Sequence, residues 1–269
     1  VKTVDDLKAL SKAVEEDKNT FAGKFFRMEN DINLQGVEDL RPIGNGFDRT
    51  AEDPTRIRPF MGTFDGNNHS IRNFTFRNDH YAMFGFFGIV NGATIKNLTI
   101  ASGKVEGDHI IGGIVGVGMN GTKIINCHTG KDYEVNCHRF YGGGIVGGLI
   151  GGAASEIADC TNDAPLTCYL GITGGIVGSN TQDRTKIERC GNRATITEHS
   201  TNTGGIIGQI IRSVSIKDCY NTGEVSALNE QGATDGTIGG IIGSTAETND
   251  GSIIEITNCY QAGALIYSS

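Results

Sequence analysis

The chain has 269 residues, a formal net charge of −8, 40 glycines and only 4 prolines. Acidity without a Lys/Arg cluster makes nucleic acid or an anionic membrane a poor partner, and no run approaches the ~18 consecutive apolar residues that mark a membrane span. Glycine stands at about twice ordinary usage but does not fall every third residue, which excludes collagen, and the scarcity of proline argues against a low-complexity linker.

Val1-Lys2-Thr3 runs straight into a helical pattern with no export leader before it. The chain is therefore expected either to be cytosolic or to begin after a removed leader. Residues 4–16 read as a helix, with Thr3 as cap and Asp6 three residues on. Leu7, Leu10 and Val14 share one face, which suits a lid over the open end of a repeat stack. Residues 20–82 form an opening segment of different texture. Eleven of the 12 phenylalanines lie between Phe21 and Phe87. Short alternations (Phe26, Met28; Ile32, Leu34) predict strands. The stretch 45–59, with two prolines and several charges, predicts a projecting loop. Asp65-Gly66-Asn67 predicts a tight turn between strands ending at Phe64 and beginning near Ser70.

From Met83 onward the chain repeats. Gly-Gly-Ile-Val/Ile-Gly occurs at 112–116, 143–147, 174–178, 204–208 and 239–243, with first glycines 31, 31, 30 and 35 residues apart. Phe84-Gly-Phe-Phe-Gly88 is a variant first copy. Each copy is followed by Ile-x-x-Cys, ending at Cys127, Cys160, Cys190, Cys219 and Cys259, with Leu98 in the variant. A third apolar position follows at Val105, Val135, Leu166, Ile196, Val225 and Leu265. A fixed period of about 30 residues with three short apolar segments signals stacked repeats. The fold expected is all-β: a parallel β-helix, a right-handed solenoid with three short strands per rung and an N-terminal amphipathic capping helix. It forms one body over 1–269, with the cap at 1–19, the opening segment at 20–82 and repeats at 83–269. The longer last spacing places an added loop at Ala227–Asp235.

Ile and Cys three apart cannot both face inward on a flat strand, so a corner must lie between them. The residue before each Cys is Asn97 (before Leu98), Asn126, Asp159, Arg189, Asp218 or Asn258. Asn and Asp tolerate the left-handed backbone that a corner demands. Arg189 breaks the pattern and reads as part of a charge-alternating column between Asp159 and Asp218. The five cysteines in one phase read as an inward ladder of free thiols. Cys137 and Cys168 point inward in another phase, where in-register neighbours are poorly placed for bridging.

These residues resemble the GLUG-motif repeat family of bacterial surface and secreted proteins. The resemblance rests on Asp31-Ile-Asn-Leu34, Arg41-Pro-Ile-Gly44, Gly62-Thr-Phe-Asp-Gly66 with His69 and Ile71, Phe84–Gly88, Ile95-Lys-Asn-Leu98 and the repeated glycine and Asn-Cys motifs. It implies a β-helical extracellular module of the kind found in adhesin-like proteins and as the non-catalytic part of some secreted peptidases. It implies a cell-surface or secreted location and no active site.

Sites are weighed on the same residues. The glycine motifs precede strands rather than a helix, and lack Gly-Lys-Ser/Thr, so a phosphate cradle is not expected. His128 and His138 each follow a cysteine, but neighbours on a strand face opposite sides and no further zinc-spaced ligands are present. Asp159 and Asp218 are the carboxylates that a β-helix hydrolase or lyase would use, and Arg189 between them would keep both ionised. No catalytic, cofactor-binding or metal residue is nominated. Tyr169, Tyr220 and Tyr260 recur beside the cysteine positions and form the candidate ligand-contact surface. The function expected is a non-enzymatic surface or secreted module that binds an extracellular protein or glycan. The alternatives are a β-helix polysaccharide lyase or hydrolase, and a passive spacer carrying another domain.

Overall fold

The computed structural model describes residues 1–17, 19–44, 46–48, 57–78, 81–199, 202–228, 236–246 and 251–268. Strands wind around a central core and pair in parallel with the equivalent strand of the next rung, giving a parallel β-helix with three faces. The first face is an eight-stranded sheet running from Phe25–Arg27 through Lys123–Ile125 and Glu156–Ala158 to Ile254–Thr257. The second follows the corner and holds the third apolar positions. The third is a six-stranded sheet from Phe87–Asn91 to Ile242–Thr245, built from the last letters of each glycine motif.

Register carries the repeat directly into space. Ile95, Ile124, Ile157, Ile187, Ile216 and Ile256 are successive partners on the first face. Val105, Val135, Leu166, Ile196, Val225 and Leu265 are successive partners on the second. Through Ile216 and Val225 these side chains are fully buried. In the first rungs aromatic rings fill the core, with Phe64, Phe74, Phe86 and Phe87 packed edge to face at 5.3 Å between centroids. Further along, Ile, Val and Cys take over the core.

The helix, α1, spans Val4–Glu15 with Glu16 as its C-cap, and its Thr3/Asp6 capping box is formed. Leu7, Leu10 and Val14 are buried in the same core cluster as Met28, Ile32 and Phe64. Two ion pairs fasten its outer side to the segment that follows: Lys8–Asp39 at 2.6 Å and Arg41–Glu15 at 2.8 Å. In the opening segment, Thr63–Asp65 and Ser70–Arg72 are strands as expected, but they belong to different faces. Asn67 and Asn68, both at positive φ, turn a corner there rather than a hairpin. Of the loop expected at 45–59, residues 46–48 form a strand antiparallel to Tyr81–Phe84, and 49–56 lie outside the described residues. The added loop at Ala227–Asp235 also lies outside them from 229 on, while Val225–Leu228 is a strand.

Inside the corner runs a feature that the thiols had overshadowed. Two residues after each corner cysteine a polar side chain points inward: Thr129, Asn162, Asn192, Asn221 and Gln261. Thr129 Oγ1 donates to Asn162 Oδ1 (2.5 Å), Asn162 Nδ2 to Asn192 Oδ1 (2.8 Å), Asn192 Nδ2 to Asn221 Oδ1 (2.7 Å) and Asn221 Nδ2 to Gln261 Oε1 (2.6 Å). The second hydrogen of each amide goes to the carbonyl two residues on, at Ala164, Ala194, Gly223 and Gly263. Burying an amide costs heavily unless it is bonded, and here each asparagine in the row is satisfied by its neighbours above and below. The second glycine of each motif makes room for it. A Cβ at Gly175 would meet the carbonyl of Gly205 and stand 2.6 Å from Asn192 Cγ. The motif glycines thus serve close approach, and none of them is at positive φ.

All seven cysteines are free, Cys137 and Cys168 included, although these two are register partners. Six are buried and Cys259 is half-buried. Burial raises the thiol pKa of Cys160, Cys168 and Cys190.

Gly175→Ala is expected to lower stability by about 1–3 kcal/mol, as overpacking does, whereas Gly152→Ala, with nothing within 4 Å of the new methyl, is expected to be neutral. Denaturant midpoints of the two variants check this. A native-state titration with Ellman's reagent should find Cys259 reacting first, with the six buried thiols exposed only on unfolding.

Candidate functional site

The corner residues Asn97, Asn126, Asp159, Arg189, Asp218 and Asn258 all hold φ between 52° and 57°. Arg189 adopts the left-handed corner without the side chain that favours it, so the rung geometry overrides local preference. Side chains link up the column in pairs: Asn97 donates to Asp65 (2.9 Å), Asn126 to Asn97 (2.8 Å) and Asn258 to Asp218 (3.1 Å). Arg189 stands between Asp159 and Asp218 in the column, as expected, but of the two it bonds Asp159. Its guanidinium grips Asp159 through Nε at 2.6 Å and Nη2 at 3.0 Å, and its Nη1 bonds Glu188 at 3.0 Å. These bonds hold the Asp159 carboxyl below its ordinary pKa. A carboxyl so held stays ionised at neutral pH and is unsuited to donate a proton.

The three nominated tyrosines do not share one surface. Tyr220 and Tyr260 are register partners and stack at 5.6 Å with 14° between planes. Tyr260 is 55% exposed. Tyr220 lies over Gly191, whose missing side chain leaves room for the ring. Tyr169 follows Cys168, a cysteine of the other phase, and so stands in a different column. There it stacks on His199 at 5.0 Å and meets His138 at 5.7 Å.

The tyrosine pair continues into a polar strip on the same face. Arg193 is bidentate on Asp163, with Nε at 2.6 Å and Nη2 at 2.5 Å. That bond, with a smaller contribution from Tyr220, raises the Arg193 pKa. His128 shares a hydrogen bond with Thr161 Oγ1 at 2.8 Å through Nδ1 and one with Asn126 Oδ1 at 3.0 Å through Nε2. Burial, and then the charge of Arg193, lowers its pKa, so it is neutral at pH 7. The strip therefore offers an aromatic face, an imidazole and a fixed guanidinium–carboxylate pair. His138, the other histidine beside a cysteine, faces Glu106 at 3.5 Å and Asp108 at 3.6 Å. Among the described residues no three His, Cys, Asp or Glu side chains are grouped to hold a metal.

A second exposed feature escaped the sequence reading. Phe140 sits at φ 65°, a strained value for a bulky residue, and is 53% exposed with its ring stacked on His109 at 5.0 Å. Nothing in local sequence signals it, because it arises from register: between the partner pairs Gly107/Cys137 and Ile110/Tyr141 the strand His128–Gly143 carries one residue more than the preceding rung, and Phe140 falls at that bulge.

No protein-family model matches the sequence. The chain is 27% identical over 153 residues to Halomucin of Haloquadratum walsbyi, a match that covers 56% of this chain and 2% of that protein. Among solved structures it is similar to a protein from Bacteroides ovatus described as a candidate immunoglobulin A1 protease, with a TM-score of 0.77 and 21% identity over 99% of this chain and 76% of that one. It is also similar to an IgA1 protease, with a TM-score of 0.64 and 17% identity over all of this chain and 20% of that one. At these identities the likeness is one of fold. Among the described residues no helix is long and apolar enough to cross a membrane.

Replacing Arg189 by Asn, which suits the left-handed corner, is expected to raise the Asp159 carboxyl pKa toward its ordinary value, measured by carbon-13 NMR titration. Because the folded pKa is the depressed one, the pair's contribution is present above the unfolded aspartate pKa and is lost as pH falls through the folded value. The melting temperature of wild type relative to the variant should therefore fall as pH drops through the folded Asp159 value, leaving in acid only the pH-independent effect of the corner residue.

Proposed function

We propose that this chain is a β-helical module of a surface or secreted protein, akin to the GLUG-motif family, that binds an extracellular glycan or protein and performs no catalysis itself. The observation that carries this reading is the strip formed by Tyr220, Tyr260, Arg193, Asp163 and His128. Stacked, partly exposed rings beside planar polar groups held in fixed geometry suit recognition of a polar, partly apolar ligand such as a sugar. The clamp of Arg189 on Asp159 counts against the hydrolase alternative, since it occupies the carboxylate that would have to act as acid. The similarity to Halomucin supports an extracellular setting.

A second reading is favoured by one observation: two solved structures of this fold bear the name of IgA1 protease, and this chain spans only 20% of one of them. In that reading the chain is a structural segment of a larger secreted peptidase and presents or spaces its catalytic part.

The test is binding to an immobilised glycan panel. The double variant Tyr220→Ala/Tyr260→Ala is expected to lose at least ~10-fold in affinity, the scale of one lost aromatic contact, with an unchanged circular-dichroism spectrum. Asp159→Asn is expected to bind normally. Release of reducing ends from a polysaccharide, abolished by Asp159→Asn or Asp218→Asn, would overturn the proposal in favour of the hydrolase.

A further inference from the structure

The outward side chains of the first face form a column of register partners: Lys123, Glu156, Lys186, Ser215 and Glu255. Lys123 and Glu156 pair at 3.3 Å. Beyond them, from Lys123 onward, Ser215 is the one short side chain in the column. It opens a notch between Lys186 and Glu255, two rungs or about 9.6 Å apart at the spacing of strands. Neither makes an ion pair among the described residues.

The notch is a hollow of about 280 Å³, lined by Arg184, Lys186, Ser213, Ser215, Ile253 and Glu255 together with Thr185 and Val214. That lies just under the range of about 300–1,000 Å³ typical of small-molecule sites, room for a single sugar ring. Arg184 stands at its lip at φ 57°, with its side chain 87% exposed and 3.8 Å from Asp183, whose carboxylate is hydrogen-bonded to Ser213. Ile253 is 63% exposed and supplies an apolar wall. Ser213 Oγ, which accepts from the Ile253 backbone at 3.1 Å, fixes that wall in place.

We propose that this notch binds one carboxylated pyranose, a uronic or sialic acid residue of a glycan. The carboxylate meets Lys186 and Arg184 on one side, ring hydroxyls donate to Glu255 on the other, and the C–H face of the ring lies on Ile253. A cation pair alone would suit any anion. The acceptor opposite, across an apolar wall, selects a rigid ring that carries a carboxylate and hydroxyl donors together, which an acidic peptide side chain does not. The proposal deepens the binding reading above and rests on it, but the notch lies on a different face from the tyrosine strip and its ligand is tested separately.

The experiment is an NMR titration of the whole chain with free glucuronic acid and N-acetylneuraminic acid, and with glucose and N-acetyl-aspartate amide as controls. Saturable shifts at residues 184–186, 213–215 and 253–255 are expected with the acidic sugars and not with the controls. Lys186→Gln is expected to weaken binding ~10-fold, the loss of one charge-assisted hydrogen bond. Ser215→Gln, which fills the notch without touching the core, is expected to abolish it. Equal response to glucose or to the aspartate amide, or unchanged binding in both variants, overturns the proposal. Absence of any response to acidic sugars also overturns it, and if the glycan panel is still bound through Tyr220 and Tyr260 the broader function stands without it. Loss of panel binding with retained uronate shifts would remove the tyrosine strip and leave the notch.

Discussion

The governing constraint in this molecule is that every side chain must be compatible with its own equivalent one strand spacing away. A residue placed at one phase of the repeat meets the same phase above and below, so columns and not individual residues are the units of packing. Aliphatic columns satisfy this by dispersion, thiols by their small size, and amides by acting as donor and acceptor to one another. The row from Thr129 to Gln261 is the strictest case. An Asn replaced by an apolar residue in the middle would orphan the amide on each side at once, since Asn192 receives from Asn162 and donates to Asn221.

The same constraint explains which local preferences are overruled. Arg189 turns a left-handed corner because its neighbours in the column, Asp159 and Asp218, already do. The cost, of order 1–2 kcal/mol for an L residue in that region, is offset by strands paired on both sides. Phe140 is held at positive φ where its rung carries one residue more than the rung before it.

Much of this was legible in the letters. Period, strand number per rung, the inward columns and the corner position follow from spacing and from the i, i+3 placement of Ile and Cys. The amide row was equally available as Cys-x-Asn in three successive units, but its meaning depends on knowing that the residue two beyond the corner points inward. The candidate surface was only partly legible. Adjacency to cysteine put Tyr169 with Tyr220 and Tyr260, yet cysteines occur in two phases, and only the register distinguishes them. The notch at Ser215 could not be found from local pattern, because a short residue becomes a feature only against its long neighbours in space, 29 residues before and 40 after in sequence.

The row of amides also bears on mechanics. Each of its bonds lies along the long axis, parallel to the ladder bonds between rungs, so tension applied end to end strains them together at whichever junction opens first. Parting one junction leaves its neighbours intact, because contacts in such an array extend only to the adjacent layer. The body should therefore yield layer by layer under load, with α1 and its two ionic ties resisting at one extremity.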